Sequence, residues 1–139
     1  MSKKLECVLL VDDDQSCNFL HQRVLKKAEV ADEIHVAKDG KEAIEFLQER
    51  ANNNDSCPDV IFLDINMPRM DGWQFLEEYQ KLPESVRARK VLIMLTSSLN
   101  PDDRDRAMRY AEVDGMEYKL LSEDKIRSII KQYFEDQNT

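Results

Sequence analysis

Three cysteines, Cys7, Cys17 and Cys57, stand at positions without metal-ligand spacing, and their odd number argues against a disulfide framework. They are expected as reduced thiols incidental to function, with Cys57, in a polar segment before Pro58, the exposed one. Basic residues are outnumbered: 20 Lys and Arg face 28 Asp and Glu, for a net charge of −8. Such a field repels nucleic-acid phosphates and anionic bilayers, so no direct nucleic-acid partner is expected. No apolar run approaches the roughly 20 residues a membrane-spanning helix needs. Met1 to Glu6 carries lysines but no long apolar core before Asp12, which predicts no secretory signal, no membrane insertion and a cytoplasmic protein. Internal repeats, low-complexity tracts and a second domain are also missing. Only two histidines are present, His21 and His35, and neither has the neighbours of a nucleophile-base pair, so both are assigned structural or surface roles.

What is present fits one domain over residues 1–139, with 42% apolar residues to build its core. Three apolar runs each stop at polar chemistry. Cys7 to Val11 leads into Asp12-Asp13-Asp14, Val60 to Leu63 into Asp64, and Val91 to Leu95 into Thr96-Ser97. With weaker candidates at about 33–37 and 115–118, these predict strands near 6–11, 59–63 and 90–95, alternating with segments of helical period. Continuously apolar strands alternating with helices imply a parallel sheet covered on both faces, an α/β doubly wound fold.

The first helix is predicted over about 15–28, with Phe19, Leu20, Val24 and Leu25 facing inward. Asp39, three residues before Glu42, caps a second helix that carries Ala43, Ile44 and Leu47 on one face. A polar, turn-rich loop at 52–58 follows. Trp73, Leu76 and Tyr79 mark a third helix that ends near Pro83, and Asn100-Pro101-Asp102-Asp103 starts a fourth with a thin apolar face. The last helix begins near Ser122, and Ile126, Ile129, Ile130, Tyr133 and Phe134 recur at helical spacing. Tyr133 and Phe134 either join the core or complete a patch for a weak homodimer.

If the apolar runs are neighbouring parallel strands, their carboxyl ends gather Asp12, Asp13 and Asp64 in one cleft, where open sheets bind ligands. Close carboxylates repel each other, and a dication relieves that repulsion. Oxygen donors suit magnesium, with manganese as an alternative, and no calcium-binding loop is present. Asp64, at a strand end, is the nucleophile candidate for phosphoryl transfer, which needs little proton abstraction from a carboxylate. Thr96 and, as an auxiliary, Ser97 offer hydroxyls to a phosphoryl group, and Lys119 brings a flexible positive charge.

These motifs, Val8 to Asp13, Asp64 to Gly72 (Asp-Ile-Asn-Met-Pro-Arg-Met-Asp-Gly), Leu95-Thr96-Ser97 and Lys119, together resemble the receiver domain of a two-component response regulator, of the single-domain CheY-like type, over about residues 5–134. The resemblance implies a flavodoxin-like five-stranded sheet of order 2-1-3-4-5 with five helices. It implies further that Asp12 and Asp13 organise magnesium, that Asp64 accepts phosphate, and that the backbone carbonyl of Asn66 is a metal ligand. Thr96 and Lys119 would contact the phosphoryl group and couple it to the fourth helix. Met67 and Met70 are read as packing residues. The implied protein is a phosphoacceptor with self-catalysed phosphotransfer and autodephosphorylation, not a metabolic enzyme. Its donor would be a sensor histidine kinase or a histidine phosphotransfer protein, and its output altered protein binding in a phosphorelay.

Two departures from the family pattern stand out. Leu120 replaces the proline that commonly follows the active-site lysine. Because a non-proline cis bond costs about 2.5–4 kcal/mol, a trans Lys119-Leu120 bond is predicted. Met116 stands where the family often has a switching aromatic, and the neighbouring Tyr118 should point away from the Lys119 side chain. Two other readings compete: a receiver-like interaction module indifferent to phosphate, and a magnesium-dependent small-molecule phosphatase, which lacks a convincing general acid. Ser98 and Asn66, neighbours of the site, bear on water access.

Overall fold

Six of the seven residues of β1 (Leu5–Val11) are buried, as a central strand covered on both faces requires. The computed structural model describes residues 5–53, 58–83, 91–97 and 100–135. Along the chain, β1 is followed by α1 (Gln15–Ala28), β2 (Ala31–Ala37), α2 (Gly40–Asn52), β3 (Val60–Asp64), α3 (Gly72–Gln80), β4 (Val91–Thr96), α4 (Pro101–Met108), β5 (Gly115–Tyr118) and α5 (Glu123–Ile130). A π-helical turn, Lys131–Glu135, extends α5. All pairings are parallel and the sheet order is β2-β1-β3-β4-β5. The expected fold and strand order hold, with strand ends displaced by a residue or two. Asp64 and Thr96 are the last residues of their strands, not the first residues beyond them.

Strand alternation sends the core to two sides. Leu9, Val11, Ile61, Leu63, Leu92 and Met94 pack with Ala43, Leu47, Phe75 and Leu76 of α2 and α3. Val8, Leu10, Phe62, Ile93 and Leu95 pack with Leu25 of α1 and Ile126, Ile129 and Ile130 of α5. Each fully buried Leu or Phe stabilises the fold by roughly 1.5–3 kcal/mol. Met67 and Met70 pack against the first of these cores, as expected. Phe134 is buried in the second, and the Tyr133 hydroxyl donates to the Asp114 carbonyl at 3.1 Å, so these two aromatics are engaged within the chain.

Each helix starts on a side-chain cap: Asp14, Asp39, Asp71, Asn100 and Ser122 accept from backbone N–H groups in the first turn. At α3 the cap is reciprocal, since Gln74 also accepts from the Asp71 N–H at 3.0 Å. The short α4 buries only Ala107, in keeping with its thin apolar face. It is held to α3 by Arg106, whose guanidinium lies 4.3 Å from the centre of the Trp73 ring.

Two expectations are corrected. The inward stripe of α1 is Asn18, His21, Leu25 and Ala28, while Phe19 is 59% and Leu20 40% exposed. Leu25 faces inward and Val24 packs against the core as expected, but Asn18 and His21, which reach backbone partners beneath the helix, take the inward positions in place of Phe19 and Leu20. The Lys119-Leu120 peptide bond is cis, not trans. Intrinsic amide preference is a local quantity, whereas this turn is held from both sides: Lys119 N–H donates to the Thr96 carbonyl at 2.8 Å, and Leu121 N–H to His21 Nε2 at 3.1 Å.

Candidate functional site

The strand order reverses between β1 and β3, and the carboxyl ends of these two neighbours carry Asp12 and Asp64. Asp12 is held by its own N–H, which donates to the Ala37 carbonyl of β2 at 3.0 Å, and by Asn18 Nδ2, which donates to the Asp12 carbonyl at 2.8 Å. Asp12 Oδ1 in turn accepts from the Asp14 N–H at 3.0 Å. Asp13 is exposed, whereas Asp12 and Asp64 are buried, and one carboxylate oxygen from each of the three lies within 4.8 Å of the others.

Lys119 enters this cluster from the end of β5. Its Nζ stands 2.7 Å from Asp12 Oδ2 and 3.1 Å from Asp64 Oδ1, with its side chain only 11% exposed. Asp12 Oδ2 is buried without a directed hydrogen bond, and the ammonium is its charge partner. Burial and then repulsion from Asp12 push the Asp64 carboxyl up from 3.8 to about 6, against the pull of Lys119. Burial works against the Lys119 ammonium, but the carboxylates of Asp12 and Asp64 more than offset it and hold that pKa above its usual value.

The turn after β3 depends on Gly72. A Cβ there would lie 2.6 Å from the Asp64 carbonyl oxygen and 3.0 Å from Ile65 Cα, and the Gly72 N–H donates to the Ile65 carbonyl at 2.8 Å. Only glycine lets α3 start this close to the strand end that carries Asp64. The turn is also tied to α2, where Arg69 Nε donates to Asp39 Oδ2 at 2.7 Å and Gly40 N–H to the Met70 carbonyl at 2.9 Å.

Thr96 is buried at the end of β4, one step past Leu95, the register partner of Asp64. Ser97 is exposed just beyond it, and Asn66 is exposed two residues after Asp64. Asp12, Asp13, Asp64 and Lys119 thus converge, with Thr96 on the adjacent strand tip. Cys57 and Ser98 lie outside the described residues. Tyr118 is 49% exposed at the end of β5. Met116 joins Thr96, Asn100, Pro101, Arg104 and Tyr118 around a cavity of about 150 Å³ between α4 and β5.

Asn18 and His21 were not legible as site residues. Asn18 holds the Asp12 backbone, and His21 holds the turn that carries Lys119. Burial depresses the His21 pKa, which keeps its ring neutral and able to accept. The one available signal was their spacing: positions 18, 21, 25 and 28 make a continuous helical face in which two members are polar.

The donor set, three carboxylates with one of them open to solvent, fits a hard dication such as magnesium or manganese. With a cation at hand, Asp64 presents a buried carboxylate beside a fixed ammonium, an arrangement suited to receiving a phosphoryl group.

The profile of the response regulator receiver domain matches residues 8–135. Response regulator Rcp1 of Synechocystis is 36% identical over 97 residues, which span 69% of this chain and 65% of Rcp1. The sensor histidine kinase CheAY of Helicobacter pylori is 32% identical over 126 residues, 89% of this chain but 14% of that protein. The chain therefore spans less than two thirds of either relative. Among solved structures, a two-component response regulator from Cytophaga hutchinsonii superposes with a TM-score of 0.85 at 28% identity, covering 94% of this chain and 97% of that one. The manganese-bound form of Rcp1 superposes at 0.68 and 29% identity, covering 91% and 90%.

Proposed function

Because the chain belongs to the response regulator receiver domain family, we propose that Asp64 accepts a phosphoryl group from a phosphohistidine protein in a magnesium-dependent reaction. As a receiver domain it is a phosphoacceptor and not a conventional metabolic enzyme. The observation that carries the proposal is the convergence of Asp12, Asp13 and Asp64 within 4.8 Å, with Lys119 bridging two of them.

In this reading an Asp64 oxygen attacks phosphorus, the new O–P bond forms as the donor's N–P bond breaks, and the imidazole leaves carrying that electron pair. Asp12, Asp13, Asp64 and the backbone carbonyl of Asn66 hold magnesium, which supplies charge neutralisation at the phosphoryl oxygens when bound. Manganese has the same donor preference, and the manganese-bound form of Rcp1 supports it as a substitute. Lys119 turns from the carboxylates to the phosphoryl group, and the Thr96 hydroxyl donates to it, with Ser97 as an auxiliary contact. New contacts of this kind bias the cavity-flanked α4 and β5 surface, which alters protein binding.

The donor is a sensor histidine kinase or a histidine phosphotransfer protein, a reading supported by the similarity to part of CheAY. Residues 1–139 act as one receiver domain in the cytoplasm, and among the described residues no helix is long and apolar enough to cross a membrane. The test is phosphotransfer from candidate phosphohistidine donors with and without magnesium, in wild type and Asp64→Asn. Acid-labile, alkali-labile label that needs both magnesium and Asp64 is expected. Equal labelling of Asp64→Asn would refute the assignment.

A further inference from the structure

Cys7, Glu33 and His35 carry the chemistry of a second and different metal site, well away from the strand tips. Cys7 of β1 is the register partner of Glu33 in β2, and His35 is two residues further along β2. Residues two apart on a strand share a face, so all three side chains project from the same side of the sheet. Their donor atoms, a thiol sulfur, a carboxylate oxygen and a ring nitrogen, lie within 4.8 Å of one another. Among the described residues, the only other such grouping of metal-ligating side chains is the acidic cleft.

We infer that Cys7, Glu33 and His35 bind a zinc-class dication, with the fourth position of a tetrahedron left to water. The donor set decides the class of ion. Sulfur and imidazole select borderline-soft ions such as zinc or cobalt over magnesium, whereas the three carboxylates of the cleft select the reverse. The two sites therefore sort their ions by donor chemistry. A thiolate and a carboxylate balance the charge of a dication, and imidazole adds none. Binding releases one proton, from the Cys7 thiol, because Glu33 is ionised and His35 coordinates as the neutral ring.

The surroundings already hold the ligands in place. His35 Nε2 is 2.9 Å from Glu33 Oε2, so these two donors already face one point, and in the bound state the neutral ring carries its one proton on Nδ1, which leaves the Cys7 proton as the only one released. Phe46 of α2 packs on the His35 ring with centroids 4.8 Å apart and fixes its plane. Arg50 Nη1 donates to the same Glu33 Oε2 at 3.1 Å and orients the carboxylate, the supporting contact that ligating groups generally have. Access is also provided: Cys7 is fully buried, but the side chains of His35 and Glu33 are 39% and 51% exposed along the outer strand β2. A bound ion would clamp that strand to β1. Spacing along the chain could not reveal this trio, because Cys7 comes from a different strand.

Cobalt reports both geometry and sulfur ligation, and so provides the test. Titration of the full chain with Co²⁺ is expected to give, at one equivalent, a thiolate-to-cobalt absorption with the intense visible bands of four-coordination. Zn²⁺ should displace it, and excess Mg²⁺ should not. The band should persist in Cys17→Ser/Cys57→Ser and vanish in Cys7→Ala. Because Cys7 lies in the core, His35→Gln on the partly exposed strand serves as the second variant. It should weaken Co²⁺ binding by more than about 100-fold, beyond what loss of an outer contact alone usually costs. No thiolate band in wild type, a band that survives Cys7→Ala, or unchanged affinity in His35→Gln would overturn the site.

Discussion

The ring of His21 accepts a hydrogen bond from the backbone of Leu121 at 3.1 Å, across 100 residues of sequence. Through it α1 grips the turn that carries Lys119, just as Asn18, one helical turn earlier, grips the backbone of Asp12. One helix face thus sets the distance between the lysine and the carboxylate it pairs with.

Removing that acceptor should loosen the lysine. In His21→Leu the buried Leu121 N–H is left unsatisfied, and denaturant unfolding should show a loss of about 1–3 kcal/mol. Phosphotransfer to Asp64 should slow, while His21→Gln, whose side chain can still accept, recovers part of both effects. Full rates in His21→Leu would show that the turn holds itself.

Lys119→Met leaves Asp12 and Asp64 buried with their repulsion uncompensated. Breaking a buried pair in this way typically costs about 3 kcal/mol, and here the loss should be largest at alkaline pH without magnesium. Acid pH, by protonating Asp64, or added magnesium should restore much of it. Equal unfolding midpoints for the variant at acid and alkaline pH, measured without metal, would contradict this account.

The Asp64 carboxyl, raised from 3.8 to about 6, sets a pH dependence with a definite sign. Between those values the folded chain holds a proton that the unfolded chain has released. This group's contribution to stability therefore falls as pH rises through that window and is level above it. Magnesium competes with the same proton, so its affinity should climb up to about tenfold per pH unit below about 6 and then flatten. Calorimetric magnesium titrations across this range check the shape, and a flat profile would remove Asp64 from the metal site.

Gly72→Ala brings a Cβ to 2.6 Å from the Asp64 carbonyl oxygen, against backbone that cannot swing aside. A cost of about 1–3 kcal/mol is expected from such overpacking, together with reduced phosphorylation because the strand end that carries Asp64 must shift. Thermal unfolding and labelling measured on the same variant report the two effects.

Much of this protein could be read from its residues in order. Apolar runs ending at Asp12, Asp64 and Thr96 announce parallel strands and a polar rim, since burial on both faces admits little else. The caps Asp39, Asn100 and Ser122 mark their helices through short-range hydrogen bonds, which depend only on neighbouring residues. The inward face of α1 was not fully readable, because Phe19 and Leu20 have helical spacing as good as that of Asn18 and His21. Which face turns inward depends on partners far away in sequence.

The chain's order of residues alone determined the sheet, the helices and the identity of the carboxylates at the strand ends, because periodicity, capping and chain direction are properties of neighbours. Only the folded structure decided that Lys119 bridges Asp12 and Asp64, that the Lys119-Leu120 bond is cis, and that Cys7 meets Glu33 and His35. Each of these is a contact between segments brought together by strand order and register. Local preference is outweighed there by the hydrogen bonds, charges and packing that distant residues supply.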